Sequence, residues 1–349
     1  VKQLRLDKKR MALKKMSSHN FVFLGILSLL LVGFVEVDPF QSIPLVEGFP
    51  EMHIPADNTQ SKTRIALGRK LFYDPILSLD STISCASCHK QKLAFADSLP
   101  ISPGVKNRIG NRNAPTLANV GYNPTYLFDG FLESLEKQVV VPIEEHAEMA
   151  FNMVEASKRL KRNKEYVALS KEAYNRAPDP FVITRSLSSF QRTFVSNHSK
   201  YDLFLRKKVK FTKNEERGRM LFFNELHCSN CHNGFNFTNF STQNNGFFEM
   251  YADSGRMRVT RLEVDRDLFK VPTLRNIALT APYMHDGSFS SLREVIQQYE
   301  KNGFKNKNKH PILQPFSISL EDEDALIAFL NTLTDHQFIT NKKFSKPKN

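Results

Sequence analysis

All four cysteines of the chain fall in two short stretches, TISCASCHKQK at 82–92 and ELHCSNCHNGF at 225–235. Both reduce to Cys-x-x-Cys-His: Cys85, Cys88 and His89 in one, Cys228, Cys231 and His232 in the other. Two thiols three positions apart, followed at once by an imidazole, form the attachment signature of a c-type haem. The thiols bond to the two vinyl groups of one macrocycle, and the histidine reaches the iron from the proximal side. Zinc chemistry can use cysteine pairs, but nothing in it requires a histidine directly after each pair. A thioredoxin-like pair would call for a βαβ context, and the sequence shows none. The duplicated motif therefore predicts two covalently bound haem c groups.

A chain of 349 residues is long enough for two domains with cores of their own. The formal charge is +13, of which the first 35 residues contribute seven Lys/Arg against one Asp. The remaining basic residues are scattered and never interleave with aromatics as a nucleic-acid groove would need, so no nucleic-acid partner is expected. A basic surface can steer an acidic redox partner instead. The basic opening and the apolar run FVFLGILSLLLVGFV have the layout of a secretory leader. The run is short for a membrane span and no small-x-small cleavage site follows, so residues 1–40 read as a signal peptide or an N-terminal anchor. Export to the periplasm follows, and there free CxxC pairs would tend to oxidise.

The remaining pattern is helical. Ile183, Leu187, Phe190 and Phe194 keep a 3.6-residue spacing, and Thr212-Lys213-Asn214-Glu215 is a capping box opening a helix through Leu221. Ser291 and Ser319 open two more helices. Short β-like runs such as 139–143 occur without an alternating series. The expected fold class is all-α: two tandem cytochrome c-like haem domains with long loops, at 46–205 and 206–340.

The two halves echo each other beyond the cysteines. Gly68-Arg69-x-Leu71-Phe72 and Gly218-Arg219-x-Leu221-Phe222 precede the two motifs. Downstream, Pro115-Thr116-Leu117-x-Asn119 matches Pro272-Thr273-Leu274-x-Asn276, Tyr126-x-x-Asp129-Gly130 matches Tyr283-x-x-Asp286-Gly287, and Ser134-Leu135 matches Ser291-Leu292. These downstream pairs share one offset of 157 positions. The same offset pairs Pro142 with Tyr299. Proline has no ligating atom, whereas a tyrosine oxygen can bind ferric iron. The first haem is therefore expected to be open on its far side and the second to be capped, by Tyr299 or by its rival Met284.

The runs LGRKLFYDPILS, ISCASCH, NRNAPTLANV and FKVPTLRNIALTAPYMHDGSF resemble the bacterial dihaem cytochrome c peroxidases and their MauG-like relatives, over about residues 45–335. The resemblance implies a periplasmic enzyme whose N-terminal haem meets hydrogen peroxide. Its C-terminal haem would take electrons from a small donor protein, a cytochrome c or a cupredoxin. Matched residue by residue, it implies that Gln138 holds the peroxide and that Glu148 moves a proton between its oxygens. It also implies a calcium ion between the haems, on Asn113, Thr280 and Pro282, the last two through backbone carbonyls. A homodimer is expected by the same analogy.

Three departures mark this chain. The loop SLPISPGVKNRIGN lacks the histidine with which many of these peroxidases block the first haem, so an open peroxide site is expected without reductive activation. Phe128 stands where the family has a tryptophan between the haems, and the chain has no Trp. Tyr299 falls where the peroxidases place a Met ligand and MauG-like proteins a Tyr. The leading expectation is a cytochrome c peroxidase; the alternatives are a MauG-like oxidase of a protein partner and a dihaem electron carrier. His285 is expected to pack near the haem, and His53, His146, His198, His227, His310 and His336 to be surface or structural.

Overall fold

Where the cysteine motifs sit is decided by two helix pairs that cross at a glycine. The computed structural model describes residues 45–348, so the expected leader lies outside the described residues. The helices are α1 (Lys62–Tyr73), α2 (Cys85–Cys88), α3 (Leu135–Gln138), α4 (Val140–Glu144), α5 (Met153–Lys161), α6 (Lys164–Tyr174) and α7 (Pro180–Arg192). They continue with α8 (Lys200–Leu205), α9 (Lys213–Met220), α10 (Met257–Thr260), α11 (Leu292–Glu300), α12 (Leu320–Asn331) and α13 (His336–Thr340). Strand structure among the described residues is limited to one antiparallel pair, β1 (Thr242–Gln243) with β2 (Phe269–Lys270), besides isolated bridges. The fold is mostly helical, as expected. No helix among the described residues is long and apolar enough to cross a membrane.

Helix α1 packs on α7 and α9 packs on α12. A Cβ at Gly68 would stand 1.8 Å from the Ser186 carbonyl oxygen, and one at Gly218 would stand 1.9 Å from that of Ala325. The repeated Gly-Arg-x-Leu-Phe therefore encodes a close helix crossing, with Leu and Phe filling the core beside it. Two hydrophobic clusters result. Leu71, Phe72, Phe95, Leu187, Phe190 and Phe194 centre the first, and Leu221, Phe222, Phe237, Leu326 and Phe329 the second. The chain's last segment returns to the first cluster through Phe338 and Phe344.

Sequence caps predicted three of these helices, and apolar spacing a fourth. Thr212 and Glu215 form the capping box of α9, and Ser291 and Ser319 cap α11 and α12. The helix through Ile183 and Phe190 is α7, opened by Asp179 with Pro180 in the first turn. The run 139–143, β-like in sequence, is helical instead: it lies across the α3–α4 junction. Its β-branched residues express only a weak local preference, and the fold overrides it. Pro142 is accommodated because it sits in the first turn of α4, where backbone N–H groups lack helical partners.

The 157-residue offset is visible as reciprocal bonding. The Asn113 N–H donates to the His285 carbonyl at 2.6 Å, and the Lys270 N–H donates to the Phe128 carbonyl at 2.6 Å. Positions 113 and 270 are one offset apart, and so are 128 and 285. Asn119 and Asn276, likewise equivalent, both bond Ser196: Asn119 Oδ1 accepts from its N–H at 2.8 Å, and Asn276 Nδ2 donates to its hydroxyl at 3.0 Å.

Candidate haem sites and peroxide recess

Each Cys-x-x-Cys-His closes on itself in one tight turn. In α2 the Ser87 hydroxyl accepts from the Ser84 N–H, and the His89 N–H donates to the Cys85 carbonyl at 2.9 Å. In the second motif a 3-10 turn covers Cys228–Asn230, and the His232 N–H donates to the Cys228 carbonyl at 2.9 Å. His89 Nδ1 lies 2.7 Å from the Phe95 carbonyl and His232 Nδ1 lies 3.3 Å from the Phe237 carbonyl. A carbonyl can only accept, so Nδ1 carries the proton in both rings and Nε2 is left for a metal. Burial lowers the pKa of both imidazoles, His232 to about 4, which keeps them neutral as ligation requires.

All four thiols are unpaired and half-buried. Burial pushes Cys85 and Cys228 up to about 12. That environment disfavours the free thiolate on which disulfide exchange depends, whereas a thioether carries no charge. The donor set therefore fits haem c at both motifs: Cys85, Cys88 and His89 for one group, Cys228, Cys231 and His232 for the other.

Glu148 belongs to the first site. Its charge acts on both Cys85 and Cys88, which sets the carboxyl near the two thiols. The side chain is accessible, yet the protein around it desolvates the carboxylate, and Glu145 repels it; together they raise its pKa to about 7. Accessibility with that much surrounding protein describes the wall of a recess rather than a convex surface. The loop that lacks the histidine is docked beneath it, the Val105 N–H donating to the Glu148 carbonyl at 2.8 Å. Gln138, half-buried at the end of α3, uses its side chain in no hydrogen bond within the described residues. No hydrogen bond among the described residues joins the Gln138 and Glu148 side chains.

The equivalent helices diverge where the repeat places Pro142 and Tyr299. Ser134 caps α3 and Ser291 caps α11 in the same way, each hydroxyl accepting from the N–H three residues on at 3.2 Å. Helix α11 runs unbroken past Tyr299, whereas the first copy breaks at Val139. Proline 142 has no N–H to give the Gln138 carbonyl, which loosens the helix at the glutamine. Tyr299 lies beside both Cys228 and Cys231; burial, then the two thiols, raise its pKa, and Asn245 opposes the rise. Met284 is close by: its sulfur accepts from Asn245 Nδ2 at 3.5 Å.

Asn113 is buried, and its Nδ2 donates to the Leu99 and Pro100 carbonyls at 3.1 and 3.0 Å. Its Oδ1 is left free, and its N–H bond to His285 sets it near the segment holding Thr280 and Pro282. Among the described residues no group of three His, Cys, Asp or Glu side chains is placed to hold a metal. A hard cation here would rest on neutral oxygens, and Asn113 fits that role. The His285 ring stacks on Phe269, centroids 4.0 Å apart.

Two buried ion-pair groups were not legible in the sequence, although Asp129 stood out as part of the repeat. Glu136 and Arg192 form a two-pronged ion pair at 2.6 and 2.9 Å, with Asn58 donating to Glu136 at 2.7 Å. Burial alone would raise the Glu136 pKa, but Arg192 and Asn58 outweigh it and hold it low. The pair anchors α3 two positions before Gln138. Asp129, fully buried, receives Arg112 and Arg258, each at 2.9 Å.

A protein with two covalent haem sites and an acid in a recess beside one of them is the class that this fold and these sites define. The comparisons agree: the family model described as di-haem cytochrome c peroxidase matches residues 62–210. The methylamine utilization protein MauG of Methylorubrum extorquens is 33% identical, covering 80% of this chain and 80% of its own length. The cytochrome c551 peroxidase of Nitrosomonas europaea is 33% identical, covering 82% of this chain and 85% of its own. The crystal structure of a MauG-like protein associated with microbial copper homeostasis superposes with a TM-score of 0.83 at 31% identity, over 87% of this chain and 98% of that one. The chain belongs to the di-haem cytochrome c peroxidase and MauG family, and it is an enzyme of that peroxidase class.

Proposed function

We propose that this protein reduces hydrogen peroxide to water at its N-terminal site, with two electrons drawn from a small redox protein. The observation that carries the reading is Glu148, an acid with a pKa near 7 in a recess beside Cys85 and Cys88. Haem c held by Cys85, Cys88 and His89 would supply the redox-active iron at which the peroxide is reduced, with the net electrons coming from the donor protein. Gln138, with no other hydrogen-bond partner, holds the peroxide through its amide. The Glu148 carboxylate takes the proton from the near oxygen and returns it to the far one, so that water and not hydroxide departs. Two protons and two electrons per peroxide complete two waters.

Tyr299 is read as the cap of the second haem, a position that supports a closed site there and an open one at the first. Calcium on Asn113 Oδ1, with the Thr280 and Pro282 carbonyls, would tie the seam. Work in the periplasm is proposed on the sequence of residues 1–40 alone, and a homodimer on family analogy. A MauG-like oxidation of a protein partner is the second reading, favoured by a tyrosine rather than a methionine beside the Cys228 and Cys231 thiols.

Stopped-flow mixing of peroxide with the purified holoprotein, with and without reduced cytochrome c, separates the readings. Oxidation of two cytochromes per peroxide supports the peroxidase. A spectral change that persists while the donor stays reduced supports the MauG-like reading. No change in either channel leaves an electron carrier.

A further inference from the structure

The loop after β1 reads Asn244-Asn245-Gly246-Phe247, and Asn245 stands between the two rival caps of the second haem. Its Oδ1 accepts from the Tyr251 hydroxyl at 2.7 Å and from the Phe247 N–H at 3.2 Å. The Phe247 N–H is shared with the Tyr251 hydroxyl, to which it donates at 3.0 Å, so Oδ1 faces these two groups and Nδ2 faces Met284. That nitrogen donates to the Met284 sulfur at 3.5 Å, and the same side chain is the neighbour that opposes the rise in the Tyr299 pKa.

The loop has little freedom to let go. Asn244 Oδ1 accepts from the Gly246 N–H at 2.7 Å, and the Gly246 carbonyl accepts from the Phe304 N–H at 2.7 Å. Gln298, on α11, donates to the Phe247 carbonyl at 3.4 Å, and the Phe247 ring meets that of Tyr299 edge-on at 4.5 Å. The same loop thus steers the helix that carries Tyr299. Met284 is held differently. Its φ of 74° belongs to the Tyr-x-x-Asp-Gly turn, because its counterpart in the first copy, Leu127, has φ 66° and cannot ligate anything. A thioether is only an acceptor, and an N–H seated on it competes with a metal for its electrons.

We propose that Asn245 is a positioning residue that selects the iron ligand: it holds the Met284 thioether aside and leaves the far position of the second haem to Tyr299. This rests on the reading of Tyr299 as the cap. Loss of the Nδ2 donor frees Met284 to compete, and a His/Met iron has a higher reduction potential than one with an oxygen ligand.

The test uses the dihaem holoprotein and reads the ligand directly. Asn245→Asp keeps both accepted hydrogen bonds and loses the N–H. Visible and near-infrared spectra with magnetic circular dichroism detect the charge-transfer band of a ferric thioether bond, and spectroelectrochemistry gives the potential. The expected result is that band appearing in Asn245→Asp with an upward shift of potential, and both vanishing when Met284→Leu is added. The new negative charge alone would shift the potential downward, so the sign separates ligand exchange from electrostatics. Asn245→Ala should give the same band and serves if the aspartate variant fails to fold. Oxidised spectra of both variants identical to wild type, or a downward shift without the band, overturn the proposal while leaving Tyr299 in place. A thioether band already present in the wild type overturns the Tyr299 reading and this proposal with it.

Discussion

If Glu148 shuttles the peroxide proton, turnover must follow its titration. The reaction needs the carboxylate as base, and the recess raises the pKa to about 7. The carboxylate fraction is then about 0.1 at pH 6 and about 0.9 at pH 8, so kcat/KM for peroxide should rise about tenfold between them. An ordinary carboxylate would be more than about 0.9 ionised at pH 6 already, and the profile would be flat. Stopped-flow rates across pH 5.5–8.5, with reduced donor in excess, distinguish the two. Glu148→Gln should cost about 10²–10⁴-fold and abolish the pH dependence. Glu145→Gln removes the repelling neighbour, so the midpoint should move to lower pH with the plateau unchanged. A flat profile in the wild type, or Glu148→Gln turning over at the wild-type rate, refutes the reasoning. The linked effect on stability has a definite sign. The folded pKa lies above the ordinary value of 4.5, so the contribution is fully present below about pH 4.5 and is lost as pH rises through about 7. Glu148→Gln should flatten that part of the stability profile.

Gly68→Ala and Gly218→Ala each push a methyl into a carbonyl oxygen less than 2 Å away, and each should destabilise by about 3 kcal/mol in thermal unfolding of the holoprotein. Glu136→Gln and Arg192→Met each strand a buried partner and should cost about 3–5 kcal/mol, with the double variant costing less than the sum; a strictly additive cycle would refute the pairing. Asn113→Ala should weaken calcium binding in calorimetry without changing haem content, and unchanged binding would remove Asn113 from the ligand set.

Much of this was legible in the chain because attachment chemistry is local. Cys-x-x-Cys-His needs no long-range partner to be recognised, and serine and threonine caps announce helices by the residues beside them. The Gly-Arg-x-Leu-Phe repeat was legible as a pattern, but its cause was not: the carbonyls of Ser186 and Ala325 lie over 100 residues downstream. Glu136 illustrates the limit. On α3 it reads as a solvated first-turn acid, and only the crossing of α7 brings Arg192 onto it. Asn245 reads as part of an Asn-Asn-Gly turn, since nothing local reveals that its nitrogen faces a sulfur. The run 139–143 misled because β-branched residues carry weak local information that tertiary packing overrides.

The repeat also explains how two equivalent frames came to hold unequal chemistry. The reciprocal bonds from Asn113 to His285 and from Lys270 to Phe128 are made by backbone atoms, so they constrain the seam without constraining the side chains there. Those side chains have parted. Asn113 presents a free neutral oxygen that can join a cation. Lys270 is itself a cation, unpaired within the described residues and lowered by burial to about 8. On the proposed reading a divalent ion would take the Asn113 end, because the Lys270 charge would repel it. The helices that follow part in the same manner: identical serine caps start α3 and α11 at equivalent points, after which Pro142 breaks one and Tyr299 completes the other. Because caps and seam fix the backbone first, the proposed contrast between an open first haem and a capped second one would need no change of fold, only of side chains such as Pro142 and Tyr299.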